Sequence, residues 1–355
     1  MEKQQLHAIE NINIVAFTPL ITPREIKKAY PMTDALSRSI AEFRNTVGAI
    51  LRGEDNRFMI IVGPCSIHSR EVALDYAQRL LNVQKQVSDV MFIIMRTYFE
   101  KPRTTLGWKG LIYDPDLDST HNIAKGLNLA REILIKIAEM GLPTGTELLD
   151  PIVPQYISDL VCWASIGART TESQTHREMA SGFSMPIGFK NSTDGNLQVA
   201  IDAMISARGH HHFLGIDEDG RSCIIETAGN SLSHIILRGG RGRPNYDPVS
   251  VIEAVEQMQK VGLPPRIVID CSHANCGKRY VLQAHVLRDV IQQRIEGNRF
   301  ILGAMLESNI KAGNQPFPPP GAVPEYGVSI TDPCLGWEET ETVILESAER
   351  LRKNS

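Results

Sequence analysis

Residues 58–68 read FMIIVGPCSIH: five apolar residues in a row, a Gly-Pro break, then a cysteine. An apolar run without alternation is the pattern of a strand buried on both faces. Seven more short apolar runs follow: Met91–Met95 (MFIIM), Leu142–Leu148 (LPTGTEL), Val161–Ala168 (VCWASIGA), Pro186–Phe189 (PIGF), His234–Leu237 (HIIL), Arg266–Ile269 (RIVI) and Phe300–Leu306 (FILGAML). Stretches with helical spacing separate or follow them, at Glu71–Gln84, Ile123–Met140, Leu197–Arg208, Val249–Lys260, Tyr280–Glu296 and Glu338–Arg352. Eight strand–helix units predict an α/β fold, a single (β/α)8 TIM barrel.

Outside this rhythm lie two additions. Residues 1–55 read as an N-terminal arm and helix, with Pro19, Pro23 and Pro31 breaking the arm and Thr33-Asp34 capping a helix that runs to about Gly53. Residues 56–355 then form the catalytic barrel. Between Asn191 and Ser233, the runs HFLGI and CIIET flank Asp217-Glu218-Asp219-Gly220. Asp-Gly between apolar runs signals a hairpin, so a β-hairpin is expected as an insert at about 210–228.

Composition narrows the function. The 355 residues carry 37 basic and 41 acidic side chains, a net charge of −4, which argues against a bulk electrostatic grip on nucleic acid. No apolar run approaches the ~20 residues of a membrane span. The start, MEKQQLHAIENINIV, lacks the basic-then-apolar order of a secretory signal. Six cysteines (65, 162, 223, 271, 276 and 334) are scattered along the chain, so reduced thiols and a cytoplasmic protein are expected.

Barrel enzymes place their active sites at the C-terminal ends of the strands. In strand order, the run ends here deliver Cys65, Arg96, Glu147, Arg169, Lys190, Arg238, His273 and Glu307. They sort into two sets. Cys65, His273 and Glu307, with Asp332 from the loop after the last strand, make a mixed thiolate, imidazole and carboxylate group. Such a group suits one divalent ion such as Mn2+, Fe2+, Co2+ or Zn2+. Arg96, Lys101, Arg103, Arg169, Lys190 and Arg238 form the second set. Six cations in a chain of net −4 need anionic ligands to offset their repulsion. Arg forks suit phosphate and carboxylate, and in Lys101-Pro102-Arg103-Thr104 several donors can meet one phosphate. The triple histidine at 210–212 precedes the hairpin and reads as solvated or structural. Gly239, Gly240 and Gly242 lack the strand–GxGxxG–helix setting of a dinucleotide site, and Asp270-Cys271-Ser272-His273 lacks a nucleophile elbow.

These segments — GPCSIH, MRTYFEKPRTT with GWKG, GARTTESQ, GFKN with TDGN, HIILRGG, DCSHAN, ESNIKAGNQ and SITDPCLGWE — resemble the microbial class I 3-deoxy-D-arabino-heptulosonate 7-phosphate (DAHP) synthases, from about Ile21 to the last helix. That resemblance implies condensation of phosphoenolpyruvate with D-erythrose 4-phosphate and water, giving DAHP and phosphate, the first step of aromatic amino-acid synthesis. It implies that Cys65, His273, Glu307 and Asp332 bind the metal. Arg96, Lys101, Arg169, Lys190 and Arg238 would hold phosphoenolpyruvate, and Arg103 and Thr104 the sugar phosphate. Lys101 is the candidate for protonating the nascent alkoxide and Glu147 for orienting the attacking water. The resemblance further implies an aromatic effector site at Gln155, Ser184, Phe213 and Gly215 with part of the arm. Gly215 would leave room for a phenol hydroxyl, which puts tyrosine ahead of phenylalanine. A homodimer or homotetramer is implied, and Ile12, Ile14 and Phe17 could cross to a neighbour. Rival readings are the related barrel that uses arabinose 5-phosphate, a class II aldolase, and a metal-free amino-acid sensor.

Overall fold

Eight parallel strands close into one barrel in the computed structural model, which describes residues 9–319 and 321–354. In chain order the strands are β1 (Phe58–Gly63), β2 (Met91–Arg96), β3 (Thr144–Glu147), β4 (Trp163–Ile166), β5 (Ile187–Lys190), β6 (His211–Ile216), β7 (Ser222–Thr227), β8 (Ser233–Leu237), β9 (Ile267–Asp270) and β10 (Ile301–Glu307). The barrel order is β1-β10-β9-β8-β5-β4-β3-β2, while β6 and β7 pair only with each other. All eight predicted runs are barrel strands. Every residue of the eight barrel strands as observed is buried, which is why the runs read as continuous apolar text.

The two faces of each strand serve different cores. Met59, Ile61, Phe92, Ile94, Trp163, Ile236, Val268 and Met305 form one cluster with Val47, Ile50 and Leu51 of the helix Asp34–Arg52. That helix therefore closes one end of the barrel interior. Thr33 caps its start and Gly53, in the left-handed conformation, ends it as expected. The alternate residues, such as Ile60, Val62, Ile93 and Ile269, join the larger cluster beneath the outer helices. β3 has the least apolar text, yet it is buried because its threonines bond to backbone carbonyls: Thr144 to Leu160 at 3.0 Å and Thr146 to Thr97 at 2.8 Å.

Three helices go unpredicted: Pro23–Ala29, Pro154–Ile157 and Gln174–Ser181. The first corrects the reading of Pro23 as a break. Proline at the first helical position loses no hydrogen bond, and Thr22 and Glu25 form a reciprocal capping box around it. The stretch Tyr280–Glu296 is also divided: a 3-10 turn at Tyr280–Leu282 precedes the helix Gln283–Ile295.

β6 and β7 form the antiparallel hairpin outside the barrel, with Leu214 opposite Ile224. Asp217 closes its turn by accepting from the N–H groups of Asp219 and Arg221, and Gly220 supplies the positive φ. The helix Pro23–Ala29 docks on this turn: Arg24 meets Asp219 at 2.6 Å and Lys27 meets Glu218 at 3.3 Å. Tyr156 donates to the Ile21 carbonyl at 2.7 Å, tying the same segment to the barrel's outer layer. No helix among the described residues is long and apolar enough to cross a membrane.

Candidate active site and metal centre

The C-terminal ends of the barrel strands surround two adjoining cavities, of about 630 and 110 Å3, which share Arg169, Arg238, His273, Glu307 and Asp332 on their walls. The smaller one lies against Arg96, Lys101, Glu147 and Lys190. Residues more than 200 positions apart in the chain thus share one chamber, because each sits at or just beyond a strand end.

Cys65, Glu307 and Asp332 each place a donor atom within 4.8 Å of the other two. Lys101 binds this group, with Nζ 3.1 Å from the Cys65 Sγ. The Cys65 thiol donates toward Asp332 at 3.6 Å. Burial, and then the Glu307 charge, push that thiol up to about 11, against the pull of Lys101. Lys101 is itself raised despite burial, because Cys65, Glu307 and Asp332 surround its ammonium. Asp332 is held low against its burial by Lys101 and His273.

His273 is outside the compact trio but lines both cavities. Its Nδ1 lies 2.7 Å from the Ser272 Oγ and 3.0 Å from Asp270. Its Nε2 has no hydrogen-bond partner among the described residues. A carboxylate behind a histidine in this way fixes the tautomer and presents the other nitrogen as a ligand. The donor set of thiol, imidazole and two carboxylates therefore fits one divalent ion, with Cys65, Glu307 and Asp332 already assembled.

The cations form a layer beside this centre. Arg96 is fully buried, 3.1 Å from Glu307, with its guanidinium 3.9 Å above the Tyr98 ring. Lys190 lies 3.3 Å from Asp270 and 3.7 Å from Glu147. Burial disfavours its charge, but Asp270, Tyr98 and Glu147 outweigh that and keep it protonated. Arg238 is depressed by burial, and its backbone N–H donates to Asn191 at 2.8 Å. Arg169 is exposed at the mouth. Arg103 is also exposed, its Nε donating to the Trp108 carbonyl at 2.8 Å, and Thr104 lines the larger cavity.

Sequence reading missed Asp270, Tyr98, Gly167 and Gln283. Asp270 ends β9, three residues before the histidine that drew attention. Burial opposes its charge, yet His273 and Lys190 hold it well below the usual carboxylate range. Gln283 clamps Glu307 from both sides, donating to its carbonyl and accepting from its N–H. Gly167 leaves space for Glu147: a Cβ there would stand 2.5 Å from the Glu147 Oε1. A buried acid ending a strand was a readable signal for Asp270; the Gly167 contact has none in the sequence.

The expected effector residues lie away from this rim. Gln155 is in the short helix Pro154–Ile157, Ser184 is in the turn before β5, and Phe213 and Gly215 share one face of β6. The space beside Gly215 is already occupied by Ile225, whose Cδ1 lies 2.3 Å from where a Cβ would be.

A family model described as DAHP synthetase I matches residues 31–345. The chain is 48% identical over 342 residues to the Tyr-sensitive phospho-2-dehydro-3-deoxyheptonate aldolase of Salmonella typhimurium, covering 96% of both chains. It is 45% identical over 340 residues to the Trp-sensitive enzyme of Escherichia coli, covering 96% of this chain and 97% of that one. A solved phospho-2-dehydro-3-deoxyheptonate aldolase from Francisella tularensis superposes with a TM-score of 0.93 at 43% identity, covering 97% of this chain and 100% of the other.

Proposed function

The chain belongs to the DAHP synthetase I family, and from that membership we propose how its rim divides the work of the family's reaction. It is an enzyme that condenses phosphoenolpyruvate with D-erythrose 4-phosphate and water, giving DAHP and phosphate, the first step of the shikimate pathway. It is feedback-inhibited by an aromatic amino acid.

The observation that carries the assignment of roles is that Glu307 and Asp332 share one chamber with Lys101, Arg96 and Lys190, while Cys65 joins them through Lys101 and Asp332. Arg96, Lys101, Arg169, Lys190 and Arg238 neutralise the carboxylate and phosphate of phosphoenolpyruvate. Arg103 and Thr104 take the sugar phosphate, at the mouth where a second anion can enter. Cys65, His273, Glu307 and Asp332 would hold one divalent ion, one of Mn2+, Fe2+, Co2+ or Zn2+, which when bound would polarise the aldehyde as a Lewis acid. C3 of phosphoenolpyruvate attacks the aldehyde carbon, and Lys101 delivers the proton to the new alkoxide. Glu147 orients the water that adds at C2, and phosphate then leaves by C–O cleavage. Fixed cations hold the two reactants together, an effect worth ~7–11 kcal/mol in well-oriented systems.

Gln155, Ser184, Phe213 and Gly215, near the docked arm helix, hold the effector; Ile225 fills the room beside Gly215, so tyrosine stands ahead of phenylalanine on the likeness to the Tyr-sensitive relative alone. The exposed cross-strand pair Leu214 and Ile224, with the exposed arm residues Ile12, Ile14 and Phe17, supports a homodimer or homotetramer, and the free cysteines support a cytoplasmic protein.

The decisive assay measures phosphate release by metal-replete enzyme with phosphoenolpyruvate and either erythrose 4-phosphate or arabinose 5-phosphate, adding Tyr, Phe and Trp in turn. Turnover restricted to erythrose 4-phosphate and inhibition by Tyr support the reading. Preference for the five-carbon sugar would overturn the substrate, and inhibition by Phe or Trp alone would overturn the effector.

A further inference from the structure

At the opposite end of the barrel, where β1, β2 and β10 begin, lies a separate cavity of about 560 Å3. Its charges do not cancel. Arg57 is paired with Asp55 at 2.6 Å, and Asp89 is paired with Arg352 at 2.6 Å. Arg294 and Arg299 have no carboxylate partner among the described residues. Arg294 is 9% exposed and donates only to backbone carbonyls, those of Arg299 at 3.1 Å and Asn56 at 3.4 Å. The Arg299 guanidinium makes no hydrogen bond or ion pair among the described residues. Burial, and then the nearby Arg299 charge, lower Arg294, so the two cations repel each other across the cavity. Val90, Ile295 and Leu351 supply an apolar wall.

We propose that this cavity is a binding site for a small organic phosphate, held by Arg294 and Arg299 with its organic body against Val90, Ile295 and Leu351. Two unmatched guanidinium groups call for a dianion, which a phosphoryl group supplies and a single carboxylate does not. A buried arginine has spare N–H donors in a fixed fork, and a ligand that takes them relieves the repulsion from its neighbour. The catalytic rim lies at the far ends of the same strands, so ligand here does not compete with substrate.

Isothermal titration with phenyl phosphate and with inorganic phosphate tests this. Because the rim also binds phosphate, the titration uses Arg238→Ala protein, with and without Arg299→Glu. The first should bind phenyl phosphate more tightly than inorganic phosphate, and the added Arg299→Glu should weaken both by about tenfold or more, the loss of a charge-assisted contact. Arg299 is exposed and its side chain is unpaired among the described residues, so this change should fold; Arg299→Gln serves as a milder second variant and should also weaken binding. Arg299→Glu alone should keep the turnover of the unchanged enzyme. Equal affinities with and without the Arg299 substitutions would overturn the site.

Discussion

The ammonium of Lys101 lies 3.1 Å from the Cys65 Sγ and 3.2 Å from the Cys65 carbonyl oxygen, so one side chain links the thiol–carboxylate group to the layer of cations. Lys101 comes from the loop after β2, and Cys65 from the turn after β1. Their contact depends on β1 and β2 being paired in register, with Val62 beside Met95.

Replacing the thiol tests the centre directly. Cys65→Ala should lose bound divalent metal and turnover together while circular dichroism stays that of the folded protein. Full activity in metal-depleted Cys65→Ala protein would refute its role as a ligand.

Asp270 acts through its neighbours, Lys190 and His273. Asp270→Asn keeps the shape but removes the charge that fixes the imidazole. Metal affinity should fall by about 10–100-fold, as for other outer-shell partners of ligating histidines. The KM for phosphoenolpyruvate should rise as well, since Lys190 loses its anchor. Metal titration and steady-state kinetics report the two effects separately; an unchanged metal affinity would count against His273 as a ligand.

Gly167→Ala offers a backbone-neutral probe of Glu147. Its added Cβ would lie 2.5 Å from one carboxylate oxygen and 2.9 Å from the carboxyl carbon, so the acid must move. We expect kcat to drop by about 10–100-fold, the scale of a displaced acid–base or orienting group. Thermal stability should fall much less than activity. Retention of wild-type kcat would remove Glu147 from the water step.

Acid should destabilise the fold through two buried histidines. Trp163 donates to the His234 Nε2 at 3.0 Å, which requires a lone pair there and hence a neutral ring. Burial lowers His234 to about 3 and His68 to about 4, from an ordinary 6.5. A depressed folded-state value means the unfolded chain binds more protons, so this stability is complete above 6.5 and shrinks as pH falls. Each histidine should contribute a slope that grows from about 0.7 kcal/mol per pH unit at pH 6.5 to ~1.4 near pH 5. Urea unfolding across that range checks it, and His234→Leu should remove about half of the histidine contribution. A flat profile would show that these rings charge without cost.

The sequence by itself determined the barrel and most of its rim. Burial on both faces leaves parallel strands as unbroken apolar runs, and a closed barrel puts whatever ends each run onto one face. Cys65, Glu147, Lys190 and Glu307 could therefore be placed together without coordinates. Short local signals were also legible, such as the Thr33 cap, the Gly53 stop and the Asp-Gly hairpin turn. Tertiary structure alone decided the contacts that depend on side chains crossing the chamber: Lys101 on Cys65, Asp270 behind His273, Gly167 yielding space to Glu147, and Ile225 filling the space beside Gly215. It also decided that Arg294 and Arg299 share an unneutralised cavity at the far end. Periodicity and run ends are properties of neighbouring residues, whereas distances between residues far apart in the chain are set by strand register and rotamer, which no local pattern encodes.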